Sequence, residues 1–491
     1  MNKILFASSY FLKHDPKEYN AMNLYAPLGT LYAASYLKQK GYKVNLFDTM
    51  LADSETDLIR ELKIHKPDIF VIYDDGFNYL TKMCLTRMRE AAFKMSKIAA
   101  ESGCKVIISG SDATDHLDKY FKQKADYIIC GEGEITLGEI ADYLNSASDK
   151  DLTEIDGLAF IKNNEIYKTG KRTVIKNPDL LPFPDRSLID TDRYKDLWYS
   201  HHGYFSMNVV TTRGCPYHCN WCAKPIYGQV YNSRSPENVA AELKFLKETY
   251  SPDHIWFCDD IFGLKPNWIN KFDEIVNKEN AKIKFKCLSR ADLLLKENNI
   301  SHLAGAGCDS VWIGAESGSQ KILDAMDKGT KVEQIYESRK LLKKNNIKTC
   351  FFLQFGYSGE TKEEIEMTVK MVKDLMPDDI GISVSYPLPG TKFYDRVLTQ
   401  MKSKQNWERS DDFEMMFEGE YTTGYYKILH QKIHKEFRSL QIIKEPFKRM
   451  STLWKLPFYL AGWFWNSVKL KKSEHVEKSN KNILKLKEAV S

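Results

Sequence analysis

Three cysteines stand close together in the middle of the chain, in a Cys-x3-Cys-x2-Cys pattern formed by Cys215, Cys219 and Cys222. This spacing is compact enough for three thiolates to converge on one metal centre. Iron–sulfur clusters ordinarily take four cysteine ligands, so a cubane held by three leaves one iron open to another ligand. The sequence therefore predicts a [4Fe–4S] cluster with an open corner that can bind a small molecule.

A structural zinc site is the alternative interpretation of the same cysteines. Such a site needs four closed ligands, and His218 or Cys258 could be the fourth. His218 lies inside the loop, between two of the cysteines, which is an awkward position from which to complete a tetrahedron. The pattern favours the cluster.

Charged residues follow three strand-like segments downstream of the cysteines. Asp259 and Asp260 end one segment, Arg290 follows the next, and Glu316 ends a third. A guanidinium binds a carboxylate through its planar fork, and acidic residues at strand ends are typical of cofactor or substrate contacts. The alternatives are a surface salt bridge for Arg290 and a helix N-terminus for Glu316.

These side chains need a scaffold that brings strand ends together. Between residues 195 and 400, strand-like segments alternate with helical ones, and we predict strands at residues 206–212, 254–258, 284–288, 310–314, 349–355 and 380–386. This alternation predicts a partial or complete parallel barrel with its site at the C-terminal ends of the strands. The cysteines directly follow its first strand.

A second α/β unit is predicted from residues 1–150, with strands at residues 3–8, 42–47, 69–73, 105–109 and 125–130. The strand–helix alternation is typical of a doubly wound, Rossmann-like parallel sheet, which binds ligands beyond the carboxyl ends of its strands. Residues 151–194 indicate a hairpin and a proline-rich linker. Residues 401–491 are helical, basic and aromatic in pattern, with no predicted strand.

The composition is that of a globular protein, with 491 residues, 43% hydrophobic and 28% charged. The net charge of +5 is too small to imply nucleic-acid binding. Residues 421–491 carry 15 basic and 5 acidic side chains, so the basic character belongs to the C-terminal segment. No secretory signal precedes the first strand and the ten cysteines are dispersed, which predicts a reduced, cytoplasmic protein.

The cysteine loop and its context resemble the radical S-adenosylmethionine (SAM) superfamily. The loop has that family's spacing, with the aromatic Trp221 before the third cysteine. Motifs at residues 257–260, 289–290, 313–318, 356–361 and 386–391 fall where the loops of such a barrel lie. The resemblance implies that the three cysteines ligate a [4Fe–4S] cluster whose open iron chelates SAM. One electron then cleaves SAM to methionine and a 5′-deoxyadenosyl radical.

The same resemblance gives the charged residues roles in cofactor binding. It implies that Arg290 pairs with the methionine carboxylate of SAM, and that Glu316 binds its ribose hydroxyls or its amino group. Asp259 and Asp260 are expected to contact the cofactor or the substrate.

The N-terminal unit resembles the cobalamin-binding domain of cobalamin-dependent radical enzymes. The residues that carry this likeness are Gly29 at the start of the first helix, Asp48 after the second strand, and Gly131 and Gly133 after the fifth. One cobalamin-binding class ligates cobalt through the histidine of Asp-x-His-x-x-Gly. His14 lies in a loop without that Asp and Gly, so we expect cobalamin binding without an axial histidine.

An aromatic and apolar stretch at residues 453–465 has basic residues on both sides. It is too short to span a bilayer, but it suits a membrane interface. The alternative is a helix packed across the mouth of the barrel.

We therefore expect a cobalamin-dependent radical SAM enzyme that methylates an unactivated carbon or phosphorus centre. Cyclisation or oxidative rearrangement, as in the anaerobic magnesium-protoporphyrin ester cyclases, is the alternative within the superfamily. A ligand-binding or electron-transfer protein is the alternative from another class. The expected partners are a small-molecule or lipid-like substrate, a reductase or flavodoxin-type electron donor, and a membrane surface contacted peripherally; nucleic acid is not expected.

Overall fold

The computed structural model describes residues 3–78, 85–224, 226–404 and 406–490, with residues 448 and 478–490 described as backbone only. Over these residues the chain forms two parallel α/β units that contact each other, followed by two long helices. The predicted fold class is confirmed.

The first unit is built on a seven-stranded sheet in the order β2-β1-β3-β4-β5-β6-β7. Strands β1 to β5 are parallel, and β6 and β7 continue the sheet as an antiparallel hairpin. The sheet therefore runs on into the segment predicted as hairpin and linker. The strands are β1 Lys3–Ala7, β2 Lys43–Leu46, β3 Ile69–Tyr73, β4 Lys105–Ser109, β5 Tyr127–Ile129, β6 Leu158–Lys162 and β7 Glu165–Lys168.

Helices cover both faces of this sheet, which explains why its central strands β3 and β4 are apolar and buried. All five residues of β3 are buried, for example. The described α-helices of this unit are α1 Pro16–Ala21, α2 Leu28–Gln39, α3 Leu58–His65, α4 Thr86–Glu101, α5 Ser111–Asp115, α6 Leu117–Lys122 and α7 Glu134–Leu144.

The second unit is an open barrel of six parallel strands in the order β15-β14-β13-β12-β11-β8. A short antiparallel ribbon of β9 and β10 stands beside it. The strands are β8 Ser206–Val209, β9 Thr212–Arg213, β10 Asn232–Ser233, β11 His254–Phe257, β12 Lys284–Ser289, β13 Cys308–Glu316, β14 Lys348–Phe355 and β15 Asp379–Val384. Each predicted barrel strand has its counterpart here.

The barrel strands alternate between two kinds of side chain. Outward residues such as Ile255, Phe285 and Phe351 are buried beneath the helices, where they form one large apolar core. The α-helices of this unit are α8 Thr191–His202, α9 Pro236–Thr249, α10 Trp268–Lys278, α11 Ala291–Leu294, α12 Asn299–Ala306, α13 Gln320–Ala325, α14 Val332–Lys344, α15 Lys362–Leu375 and α16 Lys392–Val397.

The segment between β1 and α2 ties the two units together along the open edge of the barrel. Trp198 Nε1 donates to the Leu24 carbonyl at 2.6 Å, and Asn208 Nδ2 donates to the Ala26 carbonyl at 2.8 Å. Tyr25 Oη lies 3.0 Å from Ser206 Oγ. Because these groups are buried, breaking their hydrogen bonds would leave unsatisfied polar atoms. The first unit is thereby fixed against strand β8.

The C-terminal part consists of helices α17 Thr423–Lys444 and α18 Leu456–Val490, joined by a 3-10 segment at Phe447–Lys455. Helix α18 packs alongside α17, and Glu477 accepts hydrogen bonds from Thr422 at the start of α17. Searching the described part of the chain, we find no helix that has both the length and the apolar character needed to cross a membrane.

Candidate functional site

The three clustered cysteines lie on the loop that connects the ribbon strands β9 and β10. Gly214 begins this loop with a φ of +82°. A side chain there would be strained, and its Cβ would collide with the Val230 carbonyl oxygen. A glycine before Cys215 therefore allows the sharp turn that separates the loop from its ribbon.

Asp259 holds the base of the loop. Its carboxylate accepts hydrogen bonds from the backbone N–H groups of Thr211 and Thr212 at 2.7 and 2.6 Å, and from their hydroxyls at 3.1 and 2.8 Å. The side chain is buried. These four hydrogen bonds make Asp259 a positioning residue for the loop.

The middle of the loop is held by Asn220, which lies between the second and third cysteines. Asn220 Nδ2 donates to the Ala325 carbonyl at 2.7 Å, and its Oδ1 accepts from the Tyr357 hydroxyl at 2.8 Å. Its backbone N–H donates to the Met326 carbonyl at 3.0 Å. These bonds connect the loop to the segments that follow β13 and β14.

The cysteines themselves form a protected donor set. Cys215 is buried, and Cys219 and Cys222 are partly exposed. Burial raises the pKa of Cys222 to about 12, and the carboxylate of Asp260 adds to the effect. The neighbouring Cys219 thiol raises the pKa of both Cys215 and Cys222, as expected for thiols on one short loop. Three soft sulfur donors on one anchored loop fit an iron–sulfur cluster.

Among the described residues, neither candidate for a fourth zinc ligand forms a site with the three cysteines. His218 is exposed to solvent, and Cys258 is buried and donates to the Val209 carbonyl. Across the described residues, no three His, Cys, Asp or Glu side chains meet at a point that would suit a single metal ion. A cubane binds each thiolate through a different iron, so it does not require such a point.

Arg290 lies next to the cysteine loop. Its guanidinium stacks on the Tyr217 ring, with the guanidinium carbon 3.7 Å from the ring centroid. It pairs with Asp292 at 2.9 Å and donates to the Lys328 carbonyl at 2.8 Å and to Thr330 Oγ1 at 2.9 Å. Arg290 is only 4% exposed, so a surface salt bridge is excluded.

Glu316 faces the same volume from the end of β13. The strand has a register shift at this point, and Glu316 has a φ of +58°. Its Oε1 accepts from Lys328 Nζ at 2.8 Å, and both side chains are buried. A Cβ on Gly314 would lie 2.7 Å from both of these atoms, so the glycine makes room for the pair.

Burial acts to lower the pKa of Lys328, but the adjacent Glu316 carboxylate and the Cys219 thiol raise it overall. A cation therefore stands between the carboxylate and the cysteine loop. Together with Arg290, this gives the volume beside Cys219 both acidic and basic groups. Such a set can bind a zwitterion, which carries an amino and a carboxylate group.

Arg213 links the cysteine loop to the first unit. It lies two residues before Cys215, and it donates from Nη1 to Glu132 at 2.5 Å and from Nη2 to Glu134 at 2.7 Å. All three side chains are buried. The rings of Tyr32, Phe77 and Tyr227 lie 5.4–5.7 Å from the guanidinium.

A cleft of about 360 Å³ lies between the two units, at the carboxyl ends of β1 and β3. Aromatic and polar side chains from both units line it, including Tyr10, Tyr25, Asp75, Asn208 and Trp256. This is the edge of a doubly wound sheet at which ligands bind.

Two of the four residues predicted to bind cobalamin, Gly29 and Asp48, form hydrogen bonds within the protein. The Gly29 N–H donates to Asp75 at 3.0 Å, and Asp48, which is partly exposed, accepts a hydrogen bond from the Tyr194 hydroxyl at 2.9 Å. A Cβ on Gly133 would lie 2.8 Å from the Tyr73 ring, and one on Gly131 would approach only the Ile226 carbonyl, at 3.7 Å. Among the four, Gly131 alone leaves space beside it.

Sequence reasoning missed Lys328, Asn220 and the carboxylates of Glu132 and Glu134. Lys328 lies on a loop with no recognisable motif. The two glutamates belong to the Gly-Glu-Gly-Glu run at residues 131–134, of which only the glycines were singled out. The available signal was a pair of acidic residues at the start of a predicted helix, together with an arginine just before the cysteine loop.

Comparison with known families agrees with this geometry. Residues 209–372 match the family model described as the radical SAM superfamily. An uncharacterized methyltransferase of Pyrococcus horikoshii is 27% identical over 78% of this chain and 81% of its own length. An anaerobic magnesium-protoporphyrin IX monomethyl ester cyclase of Synechocystis is 24% identical over 75% of this chain and 72% of its own.

Two solved structures have a similar fold. The radical SAM methyltransferase TsrM of Kitasatospora setae, with cobalamin and a [4Fe–4S] cluster bound, has a TM-score of 0.67 and 18% identity, over 82% of this chain and 78% of its own. The cobalamin-dependent radical SAM enzyme OxsB, with aqua-cobalamin bound, has a TM-score of 0.69 and 18% identity, over 98% and 81%.

Proposed function

Starting from the radical SAM domain that residues 209–372 form, we propose that this chain is a radical SAM enzyme that transfers a methyl group to an unactivated carbon or phosphorus centre, with cobalamin as a second cofactor. The observation that carries the proposal is the anchored loop of three cysteines beside a buried set of opposite charges. When bound, the cofactors would supply the reactive groups: the cluster would supply an electron, SAM would supply a carbon radical, and the corrinoid would supply a methyl group.

In this proposal Cys215, Cys219 and Cys222 hold the cluster and leave one iron open. Their loop is fixed at its base by Asp259 and in its middle by Asn220. This anchoring is the positioning work that a redox centre needs, because a loop that moved would let water and oxygen reach the cluster. Asp260, exposed at the strand end, stays a candidate contact for the substrate.

SAM would occupy the volume between Cys219, Arg290 and the Glu316–Lys328 pair. The Glu316 carboxylate suits the amino group or the ribose hydroxyls of SAM. Arg290 and Lys328 offer positive charge to the methionine carboxylate. Since Arg290 also stacks on Tyr217 and pairs with Asp292, its orientation is set before any ligand arrives.

The corrinoid would bind between the two units, at the carboxyl edge of the first sheet. The order of the units and the likeness of the fold to two cobalamin-bound structures support this site. The cleft at this edge is narrow between the described residues. We propose that the facing loops of the two units separate when the corrinoid binds, and no residue is assigned as an axial ligand.

The reaction outcome is proposed as methyl transfer, because a methyltransferase is among the relatives. Cyclisation is the second candidate, since the magnesium-protoporphyrin ester cyclases align over most of both chains. Methyl-labelled SAM distinguishes the two when it is supplied to the reconstituted, reduced enzyme with candidate substrates. Label in the product supports methyl transfer; a product without label, formed with 5′-deoxyadenosine, supports cyclisation.

Cleavage of SAM by the dithionite-reduced, reconstituted protein tests whether this chain is a radical SAM enzyme. The proposal expects methionine and 5′-deoxyadenosine to form. A protein that carries the cluster and leaves SAM intact would be an electron-transfer or ligand-binding protein. In the cell a reductase or flavodoxin in the cytoplasm would take the place of dithionite.

We also infer a peripheral membrane contact through the segment at residues 447–465. Its large apolar side chains point into solvent: Phe447 is 89% exposed, and Trp454, Phe458 and Trp465 are 60–66% exposed. Lys455 lies over the Trp454 ring and Lys469 over the Trp465 ring. Aromatic and cationic residues together are typical of segments that lie in the interface of an anionic bilayer. Because α18 packs along α17, the alternative of a helix across the barrel mouth has less support.

A further inference from the structure

The inward face of the barrel is partly exposed in the middle of its strands, whereas the outward face is buried beneath the helices. On β14 the outward residues Phe351 and Leu353 are at most 1% exposed, but Phe352 between them is 39% exposed. This strand lies between β13 and β15, so Phe352 can be exposed only towards the lumen. Trp256 and Trp312, on the same inward face of their strands, are also partly exposed. The lumen is therefore a space that a ligand can enter.

One wall of this space is flat and aromatic. The Trp312 and Phe352 rings stack with their centroids 4.6 Å apart and their planes 27° apart. Gly381 stands beside Phe352 on the next strand, and a Cβ there would lie 3.2 Å from the Phe352 ring. A side chain at this position would displace the Phe352 and Trp312 rings, so the glycine makes room for the stacked pair in the wall of the lumen. Flat aromatic surfaces of this kind bind planar, conjugated molecules by stacking.

A cation stands on the same inward face. Lys286 Nζ lies 5.3 Å from the Tyr25 ring centroid and 5.2 Å from that of Trp256, two rings that also line the cleft between the units. No described residue forms an ion pair or a hydrogen bond with this ammonium group. The nearby carboxylate of Asp309 is paired with His254 and Lys348. Its three N–H donors can pair with the anionic group of a ligand.

The strand register relates the cation to the aromatic wall. Lys286 is two residues before Leu288, and Leu288 is paired with Trp312. A two-residue step along one strand and a single step across the sheet separate the Cα atoms of Lys286 and Trp312 by about 8 Å. One planar molecule of two or three fused rings can therefore stack on Trp312 and reach the ammonium group.

Gln354 provides a further polar group nearer the mouth of the barrel. It lies two residues after Phe352 on the same face, is 3% exposed, and its Oε1 is a buried acceptor without a hydrogen bond in the described structure. Buried polar atoms are rarely left unsatisfied. A donor on a bound ligand would satisfy this one, close to the strand end that carries Glu316.

We propose that the barrel lumen selects a planar, conjugated substrate that carries a carboxylate or a phosphate. The anion pairs with Lys286, the ring stacks on the lumen-facing side of the Trp312–Phe352 pair, and the opposite edge of the molecule faces Gln354 and the cysteine loop. This proposal names the substrate class. It rests on the proposed function, in which the reaction takes place at the end of the barrel that carries the cysteine loop.

Calorimetry with the reconstituted holoenzyme tests the proposal, using naphthalene-2-carboxylate, 2-naphthyl phosphate and the uncharged naphthalene-2-carboxamide as probes. We expect at least one anion to bind about tenfold more tightly than the amide, as a charged hydrogen bond predicts. The comparison of the two anions tells whether a carboxylate or a phosphate is preferred. In Lys286→Gln the anions should bind no more tightly than the amide, while amide binding persists. In Phe352→Ala all three probes should bind more weakly.

The control is Lys278→Gln, which removes an exposed lysine from the end of helix α10, outside the barrel. It should leave every affinity unchanged. Equal binding of anions and amide to the wild type, no binding of any probe, or an equal loss in both lysine variants would overturn the proposal. Because probe binding is measured without turnover, it is independent of SAM cleavage, whose failure would count against the proposed function alone.

Discussion

Arg213 Nη2 lies 2.7 Å from Glu134 Oε1 and joins the loop that carries the three cysteines to the first residue of helix α7 in the other unit. Glu132 binds the other guanidinium nitrogen. The loops after the first sheet's last parallel strand and after the barrel's first strand are thus held together by one buried cation. A movement that widens the cleft between the units must also strain this link.

Replacing the shared cation should destabilise the protein strongly. Arg213→Gln leaves two buried carboxylates facing each other, and breaking a buried pair in this way costs about 3 to 5 kcal/mol of unfolding free energy. Urea unfolding of the reconstituted protein measures the change. Arg60→Gln is the control, because Arg60 forms an exposed pair with Glu61 and should change stability by about 1 kcal/mol or less. Equal changes in unfolding free energy for the two variants would show that the buried link stabilises the protein no more than a surface pair does.

The Tyr357 hydroxyl should protect the cluster. Tyr357→Phe removes the hydrogen bond to Asn220, worth about 1 kcal/mol, and loosens the loop between Cys219 and Cys222. We expect a cluster that assembles normally but bleaches several-fold faster in air, followed by its visible absorbance. Tyr199→Phe removes a surface hydroxyl that bonds to Asp253 and should bleach at the wild-type rate. Identical rates for both variants would speak against a positioning role.

Both scaffolds could be predicted from the sequence, because their strands are short apolar runs separated by helices of regular period. The cysteine loop could be predicted too, since its chemistry lies within eight residues of chain. The partners of that loop could not. Asp259 and Asp260 are adjacent and chemically identical, yet one is buried against Thr211 and Thr212 and the other is exposed. Only the twist of the strand end decides which carboxylate turns inward.

The ion pairs between residues that are distant in the sequence could not be predicted either. Lys328 reaches Glu316 across twelve residues, and Arg213 reaches Glu134 across 79. Both pairs depend on how whole elements dock, which no local pattern encodes. The sequence predicts the hairpin of β6 and β7, but its turn residues do not indicate that it extends the first sheet.

Removal of two exposed aromatics should abolish membrane binding. The double variant Trp454→Ser, Phe458→Ser loses apolar surface that would be buried in the interface. We expect the full-length wild type to float with phosphatidylglycerol vesicles, more weakly with phosphatidylcholine vesicles, and the variant with neither. Phe245→Ser, at a 43% exposed phenylalanine on helix α9, should float like the wild type. A wild type that never floats with anionic vesicles would rule out the contact.

Anion binding in the lumen should fade at alkaline pH. Burial lowers the pKa of Lys286, although Tyr204, Asp309 and Cys350 face it and act in the opposite direction. Lys286 therefore loses its charge at a lower pH than a free lysine, and the affinity for naphthalene-2-carboxylate should fall as the pH rises towards about 10. Lys286→Arg keeps its charge throughout this range, so its affinity should stay level. Parallel decline in both proteins would mean that another group titrates.

The central claim is that three cysteines hold a cluster with one iron open to SAM, and the paramagnetic spectrum of the reduced, anaerobically reconstituted protein tests it most directly. We expect the signal of a reduced [4Fe–4S] cluster whose shape changes when SAM is added. Cys219→Ala should lose the signal, whereas Cys350→Ala, at a buried thiol outside the loop, should keep it. A cluster signal that SAM leaves unchanged, or a cluster that survives in Cys219→Ala, would contradict the account.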